Sequence, residues 1–443
     1  MLPQLRKIEE KYPDELTVIG VHSAKFPAER STENVREAVQ RYNVTHPVVN
    51  DHAFRVWSTY GARAWPTLMF IDPAGKVLAK HEGEVSADGL DRALHRMITA
   101  YDSAGLLTRE PKPYRQVTHE QPDGPLLYPG KVLADEASGR LYIADSNNHR
   151  IIETDFEGRI ERTFGSGRAG MEEGPATEAS FDCPQGMAMD GERLLVADTE
   201  NHAIRGVDLE TGDVTTVAGV GHQSMRYHAG GAPLEVALNS PWDLTISDGR
   251  LYIAMAGFHQ VWQMDLEATQ ITPFLGSGRE GLTDGPADSA MLAQPSGLEA
   301  SDGILYWVDS ETSSVRMANL SGPAEVATLV GEGLFVFGDE DGLGDQVKLQ
   351  HPLALAVRGY EVFIADSYNH KIKRLFPHNR GCLTYLGEGN PGLIDGTSNA
   401  ARLYEPGGLG LAGDRLFVAD TNNHCIRVAD LKAQSLRTLE VKV

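Results

Sequence analysis

A two-domain chain, an α/β module followed by an all-β six-bladed propeller, is the fold class this sequence predicts. Three observations predict it: one segment recurs six times, each recurrence holds strands of four to six residues between turn signals, and the pattern before residue 109 changes to alternating helix and strand. The domains are placed at residues 1–108 and 123–443, with a linker over 109–122.

The recurring segments begin at Pro129, Pro184, Pro241, Pro295, Pro352 and Pro406, in steps of 55, 57, 54, 57 and 54 residues. Each runs from the proline through a short apolar stretch and a charged turn into a strand, and in five of them the strand closes on aspartate: Asp145, Asp198, Asp309, Asp366 and Asp420. From proline to closing position is 14 residues in the last five segments and 16 in the first, which carries two extra residues in DEASGR. A tight turn, a second strand and a third complete the set. One small twisted sheet cannot bury both its faces, whereas six around an axis bury each against its neighbours, and a ring shields most strand edges. The terminal SLRTLEVKV is expected to be the outer strand of the sixth blade; whether residues before Pro129 also contribute a strand is left open.

The phrase (I/V)AD(S/T)xNHxI(R/K), recurring as IADSNNHRI, VADTENHAI, IADSYNHKI and VADTNNHCI, resembles the NHL repeat. Its Asp and Asn lie in a turn where their side chains bond nearby backbone amides, so a structural role is expected. The turn histidines His149, His202, His259, His370 and His424 would form a circle, and a circle of imidazoles suggests a metal. Repeat-equivalent residues sit on separate blades, however, too far apart to share one ion, so a structural role and no metal are expected. The inter-blade loops, such as GSGRAGMEEG and GSGREGLTDG, contain G-x-G-x-x-G strings but no βαβ unit follows them. Their glycines are read as supplying backbone conformations closed to other residues, and the long acidic loops as the place where a partner docks.

The third segment departs from the pattern. Met255 stands for the closing Asp, Phe258 for the turn Asn and Trp262 for the basic position, and the preceding loop carries His222, Arg226, Tyr227 and His228. Ordinary drift is the favoured reading; the sharper alternative is an exposed binding patch of Met255, Phe258 and Trp262 with Arg226 and Tyr227.

Before residue 109, LPQLRKIEEKY has helical period, ELTVIGVHSA reads as a buried strand, and STENVREAVQRYN is a helix capped at Ser31 or Thr32. THPVVND is extended, HAFRVWSTYG helical, and WPTLMFIDPAGKVLAKHEGE two strands joined by the Asp72 to Gly75 turn, before a last helix near 86–104. Trp65-Pro66-Thr67 ahead of LMFIDPAGKVL resembles the thioredoxin-like fold, which implies a cis Pro66 beside redox cysteines. Trp65, Pro66 and Thr67 are then the remnant of a redox groove. The Cys-x-x-Cys that the resemblance implies belongs just ahead of LPQLRKIEEKY and is absent, so the domain is N-terminally incomplete, no catalytic residue is assigned, and an upstream segment of the gene is expected to encode the pair.

The chain has 443 residues and a formal net charge of −22. Residues 1–110 carry 14 Lys+Arg against 15 Asp+Glu, leaving 26 against 47 for the remainder. So acidic a body repels phosphate backbones, which argues against nucleic acid. No apolar run approaches the roughly 18 residues of a membrane span and no export signal opens the chain, so a soluble protein is expected. Cys183, Cys382 and Cys425, odd in number and far apart, fit a reducing cytoplasm and read as buried small hydrophobes. The functional expectation is a redox-linked, thioredoxin-like relative whose propeller binds a protein or peptide client, without cofactor. A non-catalytic interaction scaffold is the alternative, and a propeller hydrolase or lyase with a metal in its central channel the weaker one.

Overall fold

The computed structural model describes residues 1–109, 124–267 and 269–442, which form two compact units divided after Gln121. The expected linker, apart from Arg109, lies outside the described residues.

The first unit is α/β. Helices α1 (Leu2–Lys11), α2 (Thr32–Arg41), α3 (Arg55–Tyr60) and α4 (Ala87–Ser103) alternate with strands β1 (Gly20–His22), β2 (Val48–Asn50), β3 (Thr67–Ile71) and β4 (Val77–Glu82). β1 and β2 pair in parallel, β3 and β4 form an antiparallel hairpin, and the two pairs remain separate sheets. The hairpin turn is the predicted one: the Asp72 carboxylate accepts the amides of Ala74 and Lys76 at 2.9 and 2.8 Å. Ser86 caps α4 by accepting the Gly89 amide, whereas α2 starts at Thr32 without a side-chain cap bond. Ile8 of α1 and Tyr12 just after it pack on Leu90 and Leu94 of α4 as the buried core. One expectation is corrected. ELTVIGVHSA is not a long buried strand: only Gly20–His22 is extended, and Ile19 and Val21 are exposed, because β1 has a paired neighbour on one side alone among the described residues.

The second unit is the predicted six-bladed β-propeller. Its inner strands start at or just after the six recurring prolines, and each blade is an antiparallel meander: blade 2, for example, runs Pro184–Asp190, Arg193–Asp198, Ala203–Asp208 and Val214–Ala218. In blade 1 the turn between the first two strands is wider, Asp135 pairing with Arg140 where Asp190 pairs with Arg193 in blade 2, and this absorbs the two extra residues.

Edges are covered by a device the sequence did not display. The loop entering blades 4, 5 and 6 adds a two-residue strand, Gly285–Pro286, Gly342–Leu343 and Gly396–Thr397, to the outer strand of that blade. Gly174 and Gly231 make the matching single bridges to blades 2 and 3. Blade 1 has no preceding blade, and here the chain end substitutes. After the outer strand of blade 6, Ser435–Leu439, Lys442 exchanges backbone hydrogen bonds with Gly158 and Ile160 at 2.9 and 2.7 Å. Beneath it Leu141, Ile143 and Ile152 of blade 1 interlock with Phe417, Ala419 and Ile426 of blade 6. The ring thus closes by packing and a C-terminal strap. The outer edges of blades 2 to 6 are each met by the loop entering that blade, and that of blade 1 by the C-terminal strap.

Candidate functional site

The recurring phrase resolves into blade hardware, residue by residue. The closing Asp is fully buried in all five blades that have it. In blades 1, 2, 5 and 6 it accepts a backbone amide from the segment entering its own blade, those of Leu127, Asp182, Gln350 and Tyr404, each at 2.7 Å. The turn Asn donates to the same carboxylate, Asn201 to Asp198 at 2.8 Å and Asn423 to Asp420 at 2.8 Å. The Ser or Thr after the Asp reaches forward: Ser146, Thr199, Ser367 and Thr421 donate to the carbonyls of Pro184, Pro241, Pro406 and Pro129 at 2.6–2.9 Å.

The histidine makes the second forward bond. Nδ1 of His149, His202, His259, His370 and His424 accepts the amide of Cys183, Ser240, Gln294, Glu405 and Tyr128 respectively, at 3.0–3.2 Å. In the remaining junction Ser313 Oγ takes the amide of His351. Six such clasps join six blades, the last tying blade 6 to blade 1. Accepting at Nδ1 requires a neutral ring, and burial draws His370 down and His424 down to about 4. The five imidazoles serve five different junctions. The glycine after the outer strand in blades 1 to 5 belongs to the same joint: Gly219 has φ +100°, and a Cβ there would lie 2.6 Å from the His202 carbonyl.

In blades 2, 4, 5 and 6 a cation follows seven residues after the closing Asp. Arg205, Arg316 and Arg427 are fully buried and pair with Asp198, Asp309 and Asp420 at 3.1, 3.0 and 2.9 Å. Their second nitrogen holds the incoming loop, Arg205 donating to the Glu172 carbonyl and Arg427 to the Ile394 carbonyl at 3.0 Å. Blade 3 replaces both partners at once, Met255 for the acid and Trp262 for the base. That overturns the exposed patch: Met255 and Trp262 are 0 % and Phe258 2 % exposed. They lie inside the blade 2–3 core, an apolar pair standing where blades 2, 4 and 6 bury an Asp–Arg ion pair. Phe258 stacks on Trp262 with ring centres 5.6 Å apart, and Tyr227 and His228 fold down onto them. Of the candidate patch only Arg226 and Tyr227 remain exposed, as does His222.

The axis is filled. Lys131 of blade 1 reaches Asp243 of blade 3, Ser296 of blade 4 and Leu353 of blade 5, which in a ring of six lie on the opposite side. Glu299 of blade 4 accepts the Val357 amide at 2.9 Å, and burial, with the charge of Asp243 adding to it, pushes its carboxyl up to about 8. Being raised in the folded state, this group contributes stability that is full below the usual carboxylate range and is lost as pH rises through about 8. Thermal melts on both sides of that pH are expected to fall more steeply with rising pH in the native protein than in Glu299→Gln; parallel curves would refute the assignment.

Burial pushes the Cys382 thiol up to about 12 and the Cys425 thiol up as well. Cys382 is buried as expected, while Cys183 and Cys425 are half-buried. Among the described residues one set, His149, Asp182 and Cys183, brings three metal-capable atoms within 4.8 Å of one another, but Nδ1 of His149 is already taken by the Cys183 amide. The sequence signal was the Asp-Cys-Pro that opens blade 2.

In the first unit Trp65 is 47 % exposed, its indole donating to the Ser23 carbonyl at 2.7 Å and its ring lying 4.4 Å from that of Trp57. The Trp65–Pro66 bond is cis, and Thr67 Oγ1 donates to the Ala64 carbonyl. Ser23 and the amides of Arg55, Val56 and Trp57 all bond Asp51, which fixes the start of α3 beneath the tryptophans.

Fold and clasp residues together define an NHL-repeat propeller, and the sequence profile of the NHL repeat matches residues 181–206 and 403–429. The chain belongs to the family of NHL repeat-containing protein 2. It is 39% identical to that protein of Gallus gallus across all of this chain and 66% of the relative, just under two thirds of its length. It is 40% identical across the whole chain to "Protein SUPPRESSOR OF QUENCHING 1, chloroplastic" of Arabidopsis thaliana, covering 44% of that protein. A shorter match, 27% identical over 22% of this chain and 53% of the relative, is to "Thiol-disulfide oxidoreductase ResA" of Bacillus thuringiensis. Among the described residues no helix is long and apolar enough to cross a membrane.

Proposed function

We propose that this chain is the client-binding part of a redox-linked protein: the propeller presents loops to a protein or peptide, and the first unit is a thioredoxin-like module with no thiol chemistry of its own here. One observation carries the reading. The repeated Asp, Ser/Thr, Asn, His and Arg are spent on bonds within and between blades, and the axis is filled by a lysine, so the inter-blade loops are the surface offered to a partner. There Phe335 is 71 % exposed, and Met225, Arg226, Tyr227 and Leu393 are exposed with it, within a chain of net charge −22. The thioredoxin-like part rests on Trp65-Pro66-Thr67 opening an antiparallel hairpin, on the parallel β1–β2 pair, and on the partial match to an oxidoreductase. All three cysteines of the chain lie in the propeller, the best-buried with a strongly raised pKa, which suits a reducing compartment.

Two assays test this. In an insulin-reduction assay the chain is expected to stay at the uncatalysed background, and a rate above it defeats the reading. In crosslinking capture with the full chain, a partner is expected to bind more strongly at low than at high salt. Phe335→Ala with Arg226→Ala should weaken capture without lowering the melting temperature. Capture unaffected by both substitutions would remove the loops from the proposal.

A further inference from the structure

The ammonium of Lys131 is buried at the centre of the ring. It donates to Leu353 O at 2.6 Å, Ser296 O at 2.8 Å and Asp243 Oδ2 at 3.2 Å. An ammonium has three protons, and three oxygens from three different blades meet them. The carboxylate acceptor is itself fixed, since Asp243 also accepts the amides of Leu244 and Leu298 at 3.0 and 3.1 Å. The blades on either side make room. Glycines precede Asp243 and Lys131 around the ring, and a Cβ on Gly186 would lie 2.4 Å from Asp243 Cα, one on Gly408 2.6 Å from Lys131 Cα. The inner strands are therefore packed as closely as backbone allows around a single cation and its oxygens.

We propose that the axis of this propeller is an oxygen-lined cation site which the chain fills with its own ammonium, Lys131, and which takes a calcium-class divalent ion once that ammonium is removed. Carboxylate and carbonyl oxygens are the donors a hard cation uses, with water completing its shell. The charges support the exchange. Lys131 and Asp243 balance as they stand. A divalent ion would be balanced by Asp243 with Glu299, whose carboxyl is now held largely protonated at neutral pH by burial and by the charge of Asp243. The ammonium also has a mechanical role, pinning the first blade to the third, fourth and fifth from inside, where the C-terminal strap joins the first to the sixth from outside. The native axis is on this account closed to metal-assisted chemistry because its donors are taken. The inference stands whether or not the loops bind a client.

Thermal melting with and without calcium chloride tests it. Lys131→Ala is expected to melt about 5–10 °C below the native protein, as for loss of one partner of a buried pair. Calcium should restore most of that loss saturably, and adding Asp243→Asn should abolish the recovery. The native protein should show no saturable response that Asp243→Asn removes. A Lys131→Ala protein indifferent to calcium, or a native protein with a calcium response dependent on Asp243, overturns the proposal. If Lys131→Ala does not fold, Lys131→Met is titrated in the same way. If neither folds alone, refolding in calcium is compared with refolding in a chelator: recovery in calcium alone supports the site, and equal failure in both counts against it.

Discussion

Arg205→Ala is expected to destabilise the propeller by about 3–5 kcal/mol, the usual cost of removing one partner of a buried ion pair. The substitution leaves the fully buried Asp198 without its cation at 3.1 Å and strands the carbonyls of Ser180 and Glu172, both held by the same guanidinium at 3.0 Å. The penalty arises from the uncompensated charge more than from the lost attraction. Blade 3 supplies the control, because there the pair is replaced whole by Met255 and Trp262. Asp198→Met with Arg205→Trp is accordingly expected to cost less than Arg205→Ala alone, since an apolar pair of sufficient volume carries no desolvation debt. Denaturant midpoints with unchanged slope measure both. An Arg205→Ala protein within about 1 kcal/mol of native stability would mean that the buried pairs are incidental to the ring.

Trp262→Ala is expected to cost a further large amount, about 3–5 kcal/mol, through the cavity it leaves between blades 2 and 3. The indole is fully buried, stacks on Phe258, meets the His228 ring edge to face, and donates to Gln260 Oε1 at 3.0 Å. Arg226→Ala, on the loop above, should stay within about 0.5 kcal/mol of native. The contrast separates the two readings of the third blade. A Trp262→Ala protein that melts like the native one but no longer captures its partner would restore the binding patch.

The propeller was legible because its signal is a period. Six prolines at near-constant spacing, with the closing position 14 residues beyond each of the last five, place the blades without any account of packing, and even the wider first turn showed as two surplus residues. The junction chemistry was half legible. The turn residues were recognisable as structural, but that Ser/Thr and His reach into the next blade depends on blades being side by side, which no local pattern states. In the third blade ordinary drift was the favoured reading, and the exposed patch stayed open as an alternative because the exchange of Asp for Met and Arg for Trp was weighed one residue at a time. Asp198–Arg205, Asp309–Arg316 and Asp420–Arg427 share one seven-residue spacing, and the coordinated loss of both members at that spacing in blade 3 was the available sign of a buried pair. Lys131 gave no sign at all. Its partners lie 112, 165 and 222 residues away, and only the closed ring brings them together. In the first unit the order of helices and strands was legible, while the extent of β1 was not. Strand length follows from pairing, and ELTVIGVHSA has the composition of a buried strand with a paired neighbour on each side.

The central claim is that the repeated motif is joinery, each histidine clasping the next blade and the last closing the circle. Amide hydrogen exchange at Tyr128, compared between the native protein and His424→Ala, tests it most directly. The Tyr128 amide is held by His424 Nδ1 at 3.1 Å, so it should exchange slowly in the native protein. In the variant it should lose that protection, together with neighbouring amides of the blade 6–1 junction, while the Cys183 amide, clasped by His149, stays slow. Equal protection of Tyr128 in both proteins would contradict the account.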